Sequence, residues 1–237
     1  MKDKLIVALD VSSFKEAEKL VKLLSPVVRI FKVGKELFTS TGPDVVRMVH
    51  SHKAKVFLDL KFHDIPNTAA AACEAATRLG VFMLNVHALG GKQMLFSAVQ
   101  AVHKTAAALK RTPPLLIGVT VLTSLAEKDL ADVGIKAKLK KEVEKLALLS
   151  KTCGLDGVVA SAQEIELIRK AAGGDLLIVT PGVRPLWASK GDQKRVMTPR
   201  EAIEKGANYI VVGRPITQAS DPREAAMRIL EEMGERS

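Results

Sequence analysis

Short, nearly continuous apolar runs alternate along the chain with longer segments whose apolar positions recur every three to four residues. The runs are rich in Val, Ile and Leu and cover residues 5–10, 30–34, 55–61, 82–87, 115–120, 157–161, 176–180 and 209–213. Continuous apolar character is expected of parallel strands covered on both faces. Alternation with helix-period segments predicts βα units. Several helix starts carry their own chemistry. Ser13 with Glu16, Ser161 with Glu164, and Thr198 with Glu201 each read as a capping box. Pro199 and Pro222 suit the first helical position after Thr198 and Asp221. Phe14, Ala17, Val21 and Leu24 share one helical face, as do Leu139, Val143 and Leu146. Eight such units predict an α/β protein, a closed (β/α)8 TIM barrel forming a single domain over residues 1–237. An open doubly wound sheet would require a glycine-rich turn after its first strand, where Asp10-Val11-Ser12 stands instead.

Composition narrows the class. Of 237 residues, 47% are hydrophobic and 26% charged, which excludes a disordered chain. The longest stretch without a charged side chain, from Thr112 to Ala126, contains Pro113 and Pro114 and falls short of the roughly 20 residues of a membrane span. The apolar run near the start is too short for a signal-peptide core. Cys73 and Cys153 supply neither a disulfide framework nor a metal cluster, so a reducing cytosol is the expected location. The net charge of +10 favours anionic partners. The basic residues are scattered and aromatics make up only 4%, which suits a phosphorylated metabolite better than nucleic acid.

A barrel carries its chemistry at the C-terminal ends of its strands. The first run ends in Asp10, the second contains Lys32, and the third ends in Asp59-Leu60-Lys61-Phe62-His63-Asp64. Asp59 and Lys61, two apart, leave the same side of an extended strand, with Leu60 turned to the helix layer. Acids and bases of alternating sign thus converge on one rim, either as a reactive array or as a salt-bridged layer filling the barrel end. The opposite rim suits an anion. The seventh run leads into Pro181-Gly182-Val183-Arg184 and the eighth into Gly213-Arg214-Pro215, where barrels of this kind bind phosphate. Gly213 would offer its N–H, and Arg184 and Arg214 their forked guanidinium groups. The long segment from Gly182 to Met197 holds Trp187, Lys190, Gln193, Lys194 and Arg195 and is expected to act as a lid, with Gln193 bonding phosphate and base. The hydroxyls of Thr120, Thr123 and Ser124 suit either a polar heterocycle or the cap of a helix starting near Leu125.

These residues resemble the orotidine 5'-phosphate decarboxylase family along nearly the whole chain. The marks are Ala8-Leu9-Asp10, Phe31-Lys32-Val33-Gly34, the block from Asp59 to Thr68, Thr120 to Ser124, Pro181 to Arg184, and Val212-Gly213-Arg214-Pro215. The ten-residue block is the most specific. Its Asp-x-Lys-x-x-Asp core is also shared by sugar-phosphate lyases of the same barrel superfamily. The resemblance implies decarboxylation of orotidine monophosphate to uridine monophosphate, the last step of pyrimidine nucleotide synthesis, without cofactor or metal. It further implies a homodimer with active sites at the interface, Asp64, Ile65 and Thr68 reaching into the partner's site. Asp10 and Lys32 would bind the ribose hydroxyls, and Lys61 would be the proton donor. Thr123 would meet the pyrimidine edge, beside Pro181. Arg184, Gln193, Gly213 and Arg214 would hold the phosphate.

Loss of carbon dioxide from C6 leaves an electron pair in the ring plane, beyond the reach of the ring carbonyls. A fixed ammonium at Lys61 answers that need, held by Asp59 and the partner's Asp64. Two other readings compete. A metal-assisted lyase acting on a sugar phosphate would bind a divalent cation through the same carboxylates. A basic polyanion-binding protein would leave the converging acids unexplained. The five histidines show no ligand spacing for a metal.

Overall fold

Each expected strand forms, and each is followed by helix, in a computed structural model that describes residues 1–188 and 197–234. The strands are β1 (Leu5–Ala8), β2 (Ile30–Gly34), β3 (Lys55–Phe62), β4 (Met83–His87), β5 (Leu115–Val119), β6 (Gly157–Val159), β7 (Leu177–Pro181) and β8 (Tyr209–Val212). All pair in parallel in sequence order, and β1 closes on β8. The helices are α1 (Phe14–Leu24), α2 (Lys35–Thr41), α3 (Asp44–Ser51), α4 (Pro66–Arg78), α5 (Gly91–Ala108), α6 (Glu127–Asp132), α7 (Leu139–Thr152), α8 (Ile165–Ala172), α9 (Pro199–Glu204), α10 (Arg214–Thr217) and α11 (Pro222–Glu232). The closed (β/α)8 barrel is therefore the fold, and none of the described helices is long and apolar enough to cross a membrane.

Strand alternation divides the core into two layers. Ile6 and Ala8 point inward and meet Ile30, Phe57, Met83, Ile117, Val179 and Val211 inside the barrel. Leu5, Val7 and Leu9 point outward and pack under the helices with Ala17, Val21 and Leu24 of α1. This two-sided burial is why the strands read as unbroken apolar runs. Each fully buried Leu, Val or Ile contributes about 1.5–3 kcal/mol relative to exposure. Gly157 permits the close β6–β7 contact, since a Cβ there would lie 2.4 Å from the Leu177 carbonyl oxygen.

The caps behave as their sequence chemistry predicts, with one difference. The Ser13 hydroxyl accepts the Glu16 N–H, and the Thr198 hydroxyl accepts the Glu201 N–H while the Glu201 carboxylate accepts the Thr198 N–H. Ser161 and Glu164 form their capping box too, the Glu164 carboxylate accepting the Ser161 N–H (3.0 Å), but it heads a short 3-10 turn, Ala162–Glu164, that leads into α8. Four strands stop short of their expected ends, β5 and β8 by one residue and β1 and β6 by two. β1 ends at Ala8 and β6 at Val159. Beyond Ala8 the Leu9 N–H still donates to the Lys32 carbonyl (3.0 Å), but Asp10 then turns its carboxylate to the Lys32 ammonium.

The end of the barrel away from the charged rim is tied by Arg169 of α8. Its guanidinium donates to the Gly206 carbonyl (2.7 Å from Nη2), the Leu176 carbonyl (2.5 Å) and Asn208 Oδ1 (2.5 Å). Asn208 Oδ1 also accepts the Ile178 N–H (2.8 Å), so one charged side chain joins α8, β7 and the approach to β8.

Candidate active site

Four side chains form a chain of alternating charge at the C-terminal rim. Lys32 Nζ lies 3.0 Å from Asp10 Oδ1 and 3.4 Å from Asp59 Oδ2. Asp59 Oδ1 in turn accepts Lys61 Nζ at 2.6 Å. Asp10 is the exposed end, with 54% of its side chain accessible, whereas Lys32 and Asp59 keep only 13% each. Two acids and two ammonium groups thus compensate one another in a poorly hydrated place, where any one alone would be costly. Burial pushes the Asp59 carboxyl up, but the Lys32 and Lys61 ammonium groups, with hydrogen bonds from Lys61 and Asn85, outweigh it and hold the carboxyl below its ordinary value.

The backbone that delivers Lys61 is not a regular strand. Leu58 pairs with Leu84 and Phe62 with Val86, so residues 59–61 face Asn85 alone. Lys61 has φ +50°, in the left-handed region that a lysine rarely occupies. Asp59 and Lys61 do meet, and Leu60 does pack toward the helix layer. The bulge, rather than simple strand alternation, sets the geometry of their meeting.

Against this array lies a cavity of about 180 Å³. Lys32, Asp59 and Lys61 line one side, and Phe57, Val119, Val159, Val179 and Val211 make an apolar floor. Thr123 and Pro181 also line it. Of the two roles open to the Thr123–Ser124 hydroxyls, capping is overturned. The helix α6 starts later, at Glu127, and the Ala126 N–H donates to the Asp129 carboxylate. A neighbouring cavity of about 270 Å³ holds Arg184, Trp187 and Arg214. Arg184 is buried, and the Trp187 ring lies 4.5 Å from the Arg228 guanidinium carbon. Gly213 has a further use. A Cβ there would sit 3.3 Å from Asp10 Oδ2, so the glycine makes room for the first acid of the array.

Asp64, Ile65 and Thr68 line neither cavity. Ile65 is 67% exposed, and Asp64 and Thr68 are exposed too. The Asp64 carboxylate accepts its neighbour's N–H, from Ile65 (2.7 Å), and pairs with no cation among the described residues. Gln193, with Lys190, Lys194, Arg195 and half of the expected lid, lies outside the described residues.

Asn85 was not among the expected site residues. Its signal was available as a single amide inside Met83-Leu84-Asn85-Val86-His87, on the inward phase of β4 with Met83. His87 follows on the same phase. Burial first, then His63, Lys61 and Lys35, push its imidazole down to about 4, and its Nδ1 is buried with no hydrogen-bond partner among the described residues. The His63 and His87 rings stack at 5.3 Å. Among the described residues no group of three or more His, Cys, Asp or Glu is placed to hold a metal.

Comparison with known proteins settles the family. The profile of the "Orotidine 5'-phosphate decarboxylase / HUMPS family" matches residues 3–229. The chain belongs to that family. It is 57% identical to the orotidine 5'-phosphate decarboxylase of Syntrophotalea carbinolica over 230 residues, 97% of this chain and 94% of the relative. It is likewise 57% identical to that of Moorella thermoacetica over 233 residues, 98% of this chain and 92% of the relative. The crystal structure of orotidine 5'-phosphate decarboxylase from Lactobacillus acidophilus superposes with a TM-score of 0.87 at 38% identity, covering 98% of this chain and all of that one (100%). In this chain Lys32, Asp59 and Lys61 line one cavity, and Asp10 pairs with Lys32 at the outer end of the array.

Proposed function

We propose that the protein decarboxylates orotidine monophosphate to uridine monophosphate and carbon dioxide, with Lys61 as the proton donor. The observation that carries the reading is the Lys61 ammonium, 2.6 Å from Asp59 and facing an apolar-floored cavity. The relatives' names support the substrate. In the reaction the bond from C6 to the carboxylate breaks and its electron pair stays on C6. Lys61 Nζ delivers a proton to that carbon, and water restores the proton to the amine. The ammonium is fixed before the charge develops, so little reorganisation is needed when it does.

The remaining residues bind and orient. Asp10 and Lys32 suit the ribose hydroxyls, being the outer end of the array. Thr123 suits the pyrimidine edge, beside Pro181. Arg184, Arg214 and the Gly213 N–H suit the phosphate, Gln193 completing that set, and their cavity borders the loops after β7 and β8 where barrels hold phosphate. A homodimer would bring in Asp64, Ile65 and Thr68 from the partner. The exposed apolar side chains of Ile65, Leu89 and Phe96 support such a contact. The nucleotide substrate supports the cytosol as the place of work, and the single closed barrel supports one domain over residues 1–237 as the working unit.

The test is spectroscopic. Orotidine monophosphate should be consumed by the wild-type chain with or without a chelator, and Lys61→Ala should lose at least about 1,000-fold in kcat. Near-normal turnover by Lys61→Ala would remove the proposed donor. Turnover abolished by chelation would favour the metal-assisted lyase reading instead.

A further inference from the structure

We propose that Asn85 is a positioning residue for this reaction, its buried amide holding both the Asp59 carboxylate and the backbone of Lys61; the proposal rests on the decarboxylase reading above. Residues 59–61 of β3 face one residue of β4, so the bulge leaves the Lys61 N–H without a ladder carbonyl. Asn85 Oδ1 accepts that N–H at 2.8 Å. Asn85 Nδ2 donates to Asp59 Oδ1 at 2.7 Å. The two partners fix the amide's orientation, because a flipped amide would face a donor with a donor and a carboxylate with a carbonyl.

Three consequences follow from one side chain. Lys61 is kept at φ +50°, a conformation that persists only when its surroundings over-determine it. Asp59 is turned so that Oδ1 faces Lys61 while Oδ2 faces Lys32. The amide itself is fully buried and satisfied, so it adds rigidity where a half-satisfied polar group would add strain. Asn85 is absent from the cavity lining, so it acts through Asp59 and Lys61 and does not touch the substrate.

The test compares Asn85→Ala, Asn85→Ser and Asn85→Asp in the full chain. The readouts are kcat and KM for orotidine monophosphate, Kd for uridine monophosphate, and Tm. For Asn85→Ala, kcat should fall about 100-fold while KM and the product Kd stay within about threefold, as expected for misplaced reacting groups. Asn85→Ser, whose hydroxyl can serve one of the two partners, should recover part of that loss. Asn85→Asp sets a second carboxylate against Asp59 and should lie below Asn85→Ala. If Asn85→Ala fails to fold, the order of Ser above Asp carries the test. The proposal is overturned if a folded Asn85→Ala keeps kcat within about threefold of wild type, if kcat and product affinity fall in proportion, or if Asn85→Asp matches wild type. A wild-type chain that leaves orotidine monophosphate untouched would instead defeat the functional reading before any variant is compared.

Discussion

Lys61 combines two features that are each unusual for its residue type. Its side chain is three-quarters covered, at 25% exposure, and its backbone lies in the left-handed region. Both are tolerable because the partners are already in place: Asp59 for the charge and Asn85 for the N–H. His87, near the same rim, yields a prediction about pH. The folded chain holds this imidazole neutral down to about 4, whereas an unperturbed histidine protonates near 6.5. Between those values the unfolded chain binds a proton that the folded chain does not, so stability is lost as pH falls through that window. His50, lowered by burial and then by Arg111, contributes in the same direction. Tm should therefore drop between about pH 7 and 4.5, and by less in His87→Gln than in wild type. An equal drop in both would show that His87 contributes nothing. Asp59 acts in a separate window: its lowered carboxyl favours the folded state above the ordinary carboxylate range, and that contribution goes only as pH falls further.

At the scale of elements, the two ends of the barrel have different tasks. The C-terminal ends of β1, β2 and β3 supply charge, while Phe57 of β3 with β5, β6, β7 and β8 supplies the apolar floor of the cavity. The opposite end is held by Arg169 of α8, whose hydrogen bonds to Gly206, Leu176 and Asn208 bind the later strands together. Removing that guanidinium leaves several part-buried carbonyl groups without their donor. Arg169→Ala should cost about 3 kcal/mol of stability, read as a lowered denaturation midpoint in urea. Because Arg169 is at the end of the barrel away from the cavity, kcat of the remaining folded enzyme should be unchanged. A matching fall in kcat would mean that the two ends are coupled.

For the whole molecule, the protomer is incomplete on the proposed reading, since Asp64, Ile65 and Thr68 are exposed on its surface. Mixing offers a clean check. A Lys61→Ala chain and an Asp64→Ala chain should each be weakly active alone. In a mixed dimer one of the two sites combines an intact Lys61 with an intact Asp64; random exchange of an equal mixture makes about half of the dimers mixed, so mixing should restore about a quarter of wild-type activity, as symmetry requires of a shared two-fold interface. No recovery after confirmed subunit exchange would place Asp64 outside the partner's site. The net charge of +10 fits the same proposal, since a positive field would draw in an anionic substrate.

The barrel was legible in the residues themselves. Burial on both faces forces a parallel strand to be apolar throughout, so eight apolar runs separated by helix-period segments already imply closure. The charged rim was legible too, because Asp10, Lys32, Asp59 and Lys61 interrupt those runs where polar residues would otherwise be expensive. Other features depend on residues distant in the chain. That Gly213 clears space for Asp10, that Asn85 replaces a missing ladder partner, and that Thr123 lines a cavity instead of capping α6 are contacts across strands and loops. Local pattern reports which face of an element is buried. Only the assembled tertiary structure decides which side chain meets which, because register and bulges move whole groups of contacts at once.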